Sequence, residues 1–196
     1  MDQATLNGIL DAIDAANAQD PNTESTGGVL QPAALLYGRR MSGWLTRLRP
    51  DAPPALQIAA RAQHVRRWEH PRDEYPKDRR GYLSWRRALY SFHAGQAAAI
   101  MAPFGVDQET VERVSFLLHK KQLHDDPDTQ ALEDAACLVF LEFHLGGFAE
   151  KTDREKLIQI IRKTWRKMSG NGHQHALRIE FPEPVRVLVT EALGNA

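Results

Sequence analysis

Leu6, Ile9, Leu10 and Ile13 recur at helical spacing, which predicts a first helix from about Thr5 to Ala18, ended by Asp20-Pro21. Asn22 to Pro32, rich in Gly, Ser, Thr and Pro, reads as a loop. The helical pattern resumes over about Ala33 to Leu48 and stops before Pro50 and Pro53-Pro54. A third helix is expected from about Ala55 to Glu69, with Leu56, Ile58, Ala59, Ala60, Ala62 and Val65 on its apolar positions. A polar connection containing Pro71, Pro76 and Gly81 leads into a long helix from about Tyr82 to Ala102, which Gly105 breaks.

Asp107 is suited to cap the next helix, through Val111, Val114, Leu117 and Leu118, and Asp128 or Thr129 the one after it. That later helix has no charge from Ala135 to Leu141, so it is expected to be the central, most buried one. Asp153 opens a helix with Leu157, Ile160, Ile161 and Trp165, closed by Gly170 and Gly172. Ala176 to Phe181 is β-like, and a last helix is expected from about Pro184 to Leu193. No strand alternation, internal repeat or low-complexity segment stands out elsewhere. The pattern predicts an all-α chain forming one helical bundle over residues 1–196. Residues 1–32 would be an N-terminal helix and loop, 33–169 the helical core, and 170–196 a tail packed on that core.

Composition narrows the partners. In 196 residues, 25 basic side chains balance 25 acidic ones, so net charge argues against general nucleic-acid or membrane binding. Any anion recognition has to come from local clustering. The single cysteine, Cys137, sits in an apolar run and reads as a small core residue; it cannot form an internal disulfide, which fits a reducing compartment. Met1-Asp2-Gln3-Ala4 lacks a basic or apolar leader, and no apolar run approaches the roughly twenty residues that cross a bilayer. The expectation is a soluble, cytoplasmic protein whose oligomeric state the sequence leaves open.

Local clustering is found between Arg61 and Arg87, where nine Arg or Lys residues face four Asp or Glu, interleaved with Trp68, Tyr75, Tyr82 and Trp85. Arginine forks suit phosphate oxygens, and aromatic faces suit a base or sugar. The same composition also suits a solvated loop whose aromatics staple two helices together. His64, one turn from Ala60 and Trp68, and His93, one turn from Leu89 and Ala97, fit satisfied core histidines as well as ligands. Asp134 heads the most apolar helix. A buried carboxylate is costly unless it meets a cation, a metal or several donors, so it is either a helix-start acid with a partner or a functional group. Glu133 is the second choice.

Histidines on two helices and a carboxylate on a third can converge in a bundle core. A divalent metal there (manganese, iron, nickel or magnesium) would take imidazole and carboxylate ligands, polarise a phosphoryl group and activate water. His119, His124, His173 and His175 lie in polar contexts, and the last two read as a surface loop. Walker-type, GxGxxG, HExxH, CxxC and GxSxG motifs are absent.

Three stretches carry a family resemblance. They are Ala60-Arg61-Ala62-Gln63-His64-Val65-Arg66-Arg67-Trp68, running on through Pro71-Arg72, Tyr75-Pro76 and Gly81-Tyr82-Leu83-Ser84-Trp85-Arg86; Gln130 to Glu142; and Lys163-Thr164-Trp165-Arg166-Lys167-Met168-Ser169. Together they resemble the family catalogued as domain of unknown function 4202, over nearly the whole chain; that name brings no activity. A remoter resemblance is to the HD phosphohydrolase superfamily, all-helical enzymes holding one or two metals with a His, a His-Asp pair and a later Asp. It implies an HD-like bundle in which His64 matches the His of the pair, Asp134 the final Asp, and His93 an additional ligand of some members. Tyr37 stands where the first His belongs and Val65 replaces the Asp of the pair, two departures from the pattern.

Two functional expectations follow. One is a metal-dependent phosphohydrolase acting on a nucleotide or other phosphorylated small molecule. It would have His64 and Asp134 as catalytic groups and His64, His93 and Asp134 as metal ligands. Its substrate contacts would be Arg67, Trp68, Arg72, Tyr75, Arg79 and Lys163. The other is a degenerate, non-catalytic HD-like module that binds an anionic ligand or a partner protein.

Overall fold

The Asp2 carboxylate accepts from the Thr5 N–H at 2.7 Å and starts helix α1 (Gln3–Asn17), whose buried face is Leu6, Ile9 and Ile13. A computed structural model describes residues 1–194. The chain forms two compact units, Met1–Leu132 and a second beginning at Glu133.

In the first unit, α1 is followed by a hairpin of β1 (Thr23–Thr26) and β2 (Val29–Pro32), antiparallel with Thr26 opposite Val29. This corrects the expectation of a loop. Gly27 and Gly28 both take positive φ, 58° and 80°, as a two-residue hairpin turn demands, while the strands are too short and polar to alternate legibly. Next come α2 (Ala33–Leu48), α3 (Pro54–Arg61), α4 (Arg79–Met101) and α5 (Gln108–Leu118). The short α3 packs against α1, α2 and α5. Its Leu56, Ile58, Ala59 and Ala60 are fully buried, the alanines allowing close approach.

Helix α3 ends eight residues before the expected Glu69. Beyond Arg61 the chain turns, and Arg66 takes a left-handed conformation at φ 50°, its N–H donating to Asn17 Oδ1 at 3.2 Å. Tertiary contact overrides the helical periodicity here, so His64 lies in a turn and not on a helix. Helix α6 (Pro127–Val139) starts with Asp126, whose Oδ1 accepts from the N–H groups of Asp128 and Thr129, so neither of those two is the cap. Arg113 holds both Asp126 and Asp128, at 2.8 and 2.7 Å.

The division into units falls inside α6. In the second unit a π-helical segment, Phe140–His144, leads to α7 (Leu145–Ala149), α8 (Arg154–Trp165), α9 (Gly170–Ala176) and α10 (Glu183–Leu193). Helix α8 packs on α10 and α7 through buried Leu157, Ile161, Val185 and Leu188. The segment around His173 and His175 is helical, not a surface loop: Ser169 caps it, and the His173 ring stacks on Trp165 with centroids 3.8 Å apart. The β-like stretch expected at Ala176–Phe181 forms no strand; the α9 end and an irregular connection occupy it. Cys137 is buried, as expected of a core residue. Among the described residues the fold is all-α apart from the hairpin. Among the described residues no helix is long and apolar enough to cross a membrane.

Candidate functional site

Trp85 organises the segment that sequence singled out. Buried on α4, its indole N–H donates to the His70 carbonyl at 3.0 Å and so ties the preceding loop to the helix. Gly81 is required in that fold: a Cβ there would lie 2.1 Å from the Pro76 carbonyl oxygen. Arg72 spends its guanidinium on the loop, donating to the carbonyls of Tyr75 and Pro76 at 2.8 and 2.7 Å. Tyr75 pairs through its hydroxyl with His70 Nε2 at 2.8 Å. These two expected substrate contacts therefore brace the loop. Trp68 sits half-buried in a short turn of 3-10 helix, and Arg79 is exposed in the first turn of α4.

Arg67 lies at the middle of the cluster. Its guanidinium carbon is 4.9 Å from the Trp85 ring centre, a cation–π geometry, and Nη1 donates to His64 Nε2 at 2.7 Å. A guanidinium has no acceptor, so His64 Nε2 is the unprotonated nitrogen. The His64 ring stacks on Tyr37 of α2, with centroids 3.8 Å apart and planes 14° from parallel. Arg86, on α4, donates to the hydroxyls of Tyr82 and Tyr90, one turn to either side.

Among the described residues neither Arg67 nor Arg86 has a carboxylate partner. The contrast with other arginines of this unit is plain: Arg61 pairs with Asp14, Arg40 with Glu24, Arg49 with Asp128 and Arg113 with Asp126. Burial lowers the Arg67 pKa from its ordinary value; Tyr37 opposes that shift and the like charge of Arg86 adds to it. Burial also works against the charge of Arg86, yet the hydroxyls of Tyr82 and Tyr90 outweigh it and raise the pKa. Two cations are thus drawn partly out of water with no anion beside them, at a cost an incoming anion would remove.

His93 lies 6.0 Å from His64, centroid to centroid. Its Nδ1 meets the Val65 carbonyl at 3.0 Å, so Nδ1 carries the proton and Nε2 an open lone pair. Nε2 is buried and has no hydrogen-bond partner. Burial pushes the His93 pKa down to about 4, keeping the ring neutral at physiological pH.

Asp134 belongs to the second unit, where it is 2% exposed. Its carboxylate accepts from the Ser169 N–H at 2.8 Å and hydroxyl at 2.5 Å, while Ser169 Oγ accepts from the Gly172 N–H at the start of α9. Glu133 pairs with Lys167 at 3.4 Å. Lys163 is exposed on α8. The expected ligands are therefore a poor match to a divalent metal. The His64 lone pair is taken by a guanidinium that would repel a dication, and the Asp134 oxygens are taken by Ser169. Among the described residues no group of three or more His, Cys, Asp or Glu is placed to hold a metal ion. Tyr37, Arg86 and Trp85 are central to the cluster and were not expected as contacts. The Tyr82-Arg86-Tyr90 spacing, a turn apart on one helix face, is the signal that could have found Arg86.

The chain matches the model of the family described as Domain of unknown function (DUF4202) over residues 7–189, and it belongs to that family. It matches no curated protein and no solved structure.

Proposed function

We propose that this protein binds a phosphorylated or otherwise anionic small molecule through Arg67, with Arg86 adding positive potential and without a metal. The observation that carries the reading is a partly desolvated guanidinium that lies over Trp85, donates to a neutral histidine nitrogen and has no acid partner among the described residues. Hydrogen bonds to charged groups contribute about 1.5–3 kcal/mol each, so one such contact accounts for roughly one to two decades of affinity. Exposed Tyr82 offers an aromatic face beside the cations for a base or sugar. We place this activity in the cytoplasm, on the strength of the lone buried Cys137.

A second reading, an HD-like phosphohydrolase, is favoured by one observation: the open, buried lone pair of His93 Nε2 is chemically suited to a metal ligand. Thermal-shift titration with inorganic phosphate and AMP in the presence of EDTA separates the two. The binding reading expects stabilisation by these anions in EDTA, lost in Arg67→Met. No anion-dependent shift in EDTA, with phosphate released from AMP after manganese, iron or nickel is added, would replace it by the hydrolytic reading.

A further inference from the structure

We infer that His93 makes the Arg67 site selective for an oxyanion that carries its own hydrogen-bond donor, a protonated phosphate group, over one that has none, such as sulfate. The inference rests on the anion-binding reading and adds the substrate class. Three observations meet at this point. His93 is 3% exposed, and its Nε2 is a buried acceptor facing no donor. The tautomer is fixed from the other side of the ring, because the Val65 carbonyl can only accept and therefore holds the proton on Nδ1. The ring centre lies 6.0 Å from that of His64, whose Nε2 receives the Arg67 guanidinium, and the Arg67 charge is felt at His93.

The chemistry of discrimination follows from that pairing. Near neutral pH a phosphate monoester retains one proton part of the time, its second ionisation falling at about pH 6, and inorganic phosphate keeps at least one, whereas sulfate has lost both. A protonated phosphate can give its negative oxygens to Arg67 and its O–H to Nε2. Sulfate meets the guanidinium equally well but turns an oxygen lone pair toward the imidazole lone pair. A buried acceptor left facing another acceptor is penalised, which is why sites that expect a hydroxyl reject analogues lacking one. Burial reinforces the arrangement by keeping the ring neutral, so that it does not become a donor in the working range. The groups acting on His93 are Arg67 and His70, both cationic when charged, and neither supplies an anion that would reverse the preference.

Calorimetric titration at pH 6.5 with inorganic phosphate and, separately, sulfate tests this on the full chain, as wild type and as His93→Phe. The expected result is phosphate bound at least tenfold more tightly than sulfate by wild type, equivalent to about 1.4 kcal/mol. In His93→Phe the ratio should fall to within about twofold. Equal affinities in wild type, or a preference that survives in the folded variant, would overturn the inference while leaving anion binding intact. Binding of neither anion removes the Arg67 reading itself. Should His93→Phe fail to fold, the 15N resonance of His93 Nε2 in wild type decides: it should move toward a hydrogen-bonded value with phosphate and not with sulfate, and an unmoved resonance under saturating phosphate counts against the inference.

Discussion

The Asp134 carboxylate takes both the backbone N–H and the hydroxyl of Ser169, at 2.8 and 2.5 Å, and thereby holds the residue that caps α9. Asp134 lies in the middle of α6, seven residues after Pro127 and not at the helix start expected of it, and its buried carboxylate is met there by donors. Asp134→Ala leaves two donors without their acceptor and should lower unfolding free energy by about 2–4 kcal/mol, read by urea denaturation. Asp134→Asn keeps one acceptor oxygen and should lose less. Unchanged stability in Asp134→Ala would contradict this.

The same contact constrains Gly172. A Cβ there would approach Asp134 Cγ and Oδ1 to 2.8 Å, against a side chain that Ser169 holds in place. Gly172→Ala should cost about 1–3 kcal/mol, as overpacking does. Gly95→Ala on α4 provides the opposite control, because nothing lies within 4 Å of its Cβ position. Removing a glycine from a helix interior should stabilise by roughly 0.5–1 kcal/mol. Thermal melts of the two variants should therefore move in opposite directions.

Acid sensitivity is expected from His93. Its folded pKa of about 4 lies below the ordinary 6.5, so the unfolded chain takes up a proton first as pH falls. Above pH 6.5 both states are neutral and the residue has no effect. Between pH 6.5 and 4 stability drops by about 1.4 kcal/mol per pH unit from this group, roughly 3 kcal/mol in all, and then levels. Denaturant melts across that window should show a shallower decline in His93→Phe than in wild type. Parallel curves would assign the acid sensitivity elsewhere.

Much of the helical plan could be read from local pattern. Helix α2 runs from Ala33 to Leu48 as expected, and Asp107 and Asp153 cap α5 and α8, because spacing and capping chemistry are local. The end of α3 was not legible: Ala62 and Val65 continue the apolar pattern, but Asn17 captures the Arg66 N–H from 49 residues away. The hairpin has no legible alternation, because its strands are four residues long and β1, Thr-Glu-Ser-Thr, has no apolar side chain. At the candidate site, sequence identified the basic, aromatic segment but not which arginines are neutralised. That depends on distant acids, such as Asp14 for Arg61, 47 residues apart. Asp134 and Ser169 are likewise 35 residues apart, so the satisfied state of that carboxylate had no local signature.

Isothermal titration of AMP into metal-free protein, comparing wild type with Arg67→Met, bears most directly on the unpaired guanidinium over Trp85. Methionine keeps the apolar stem and removes the charge, so packing on the indole is largely retained. The account expects saturable binding by wild type in EDTA and an affinity at least tenfold weaker in the variant, with similar melting temperatures. Equal affinity in the two proteins, or heat of binding only after a divalent metal is restored, would contradict it.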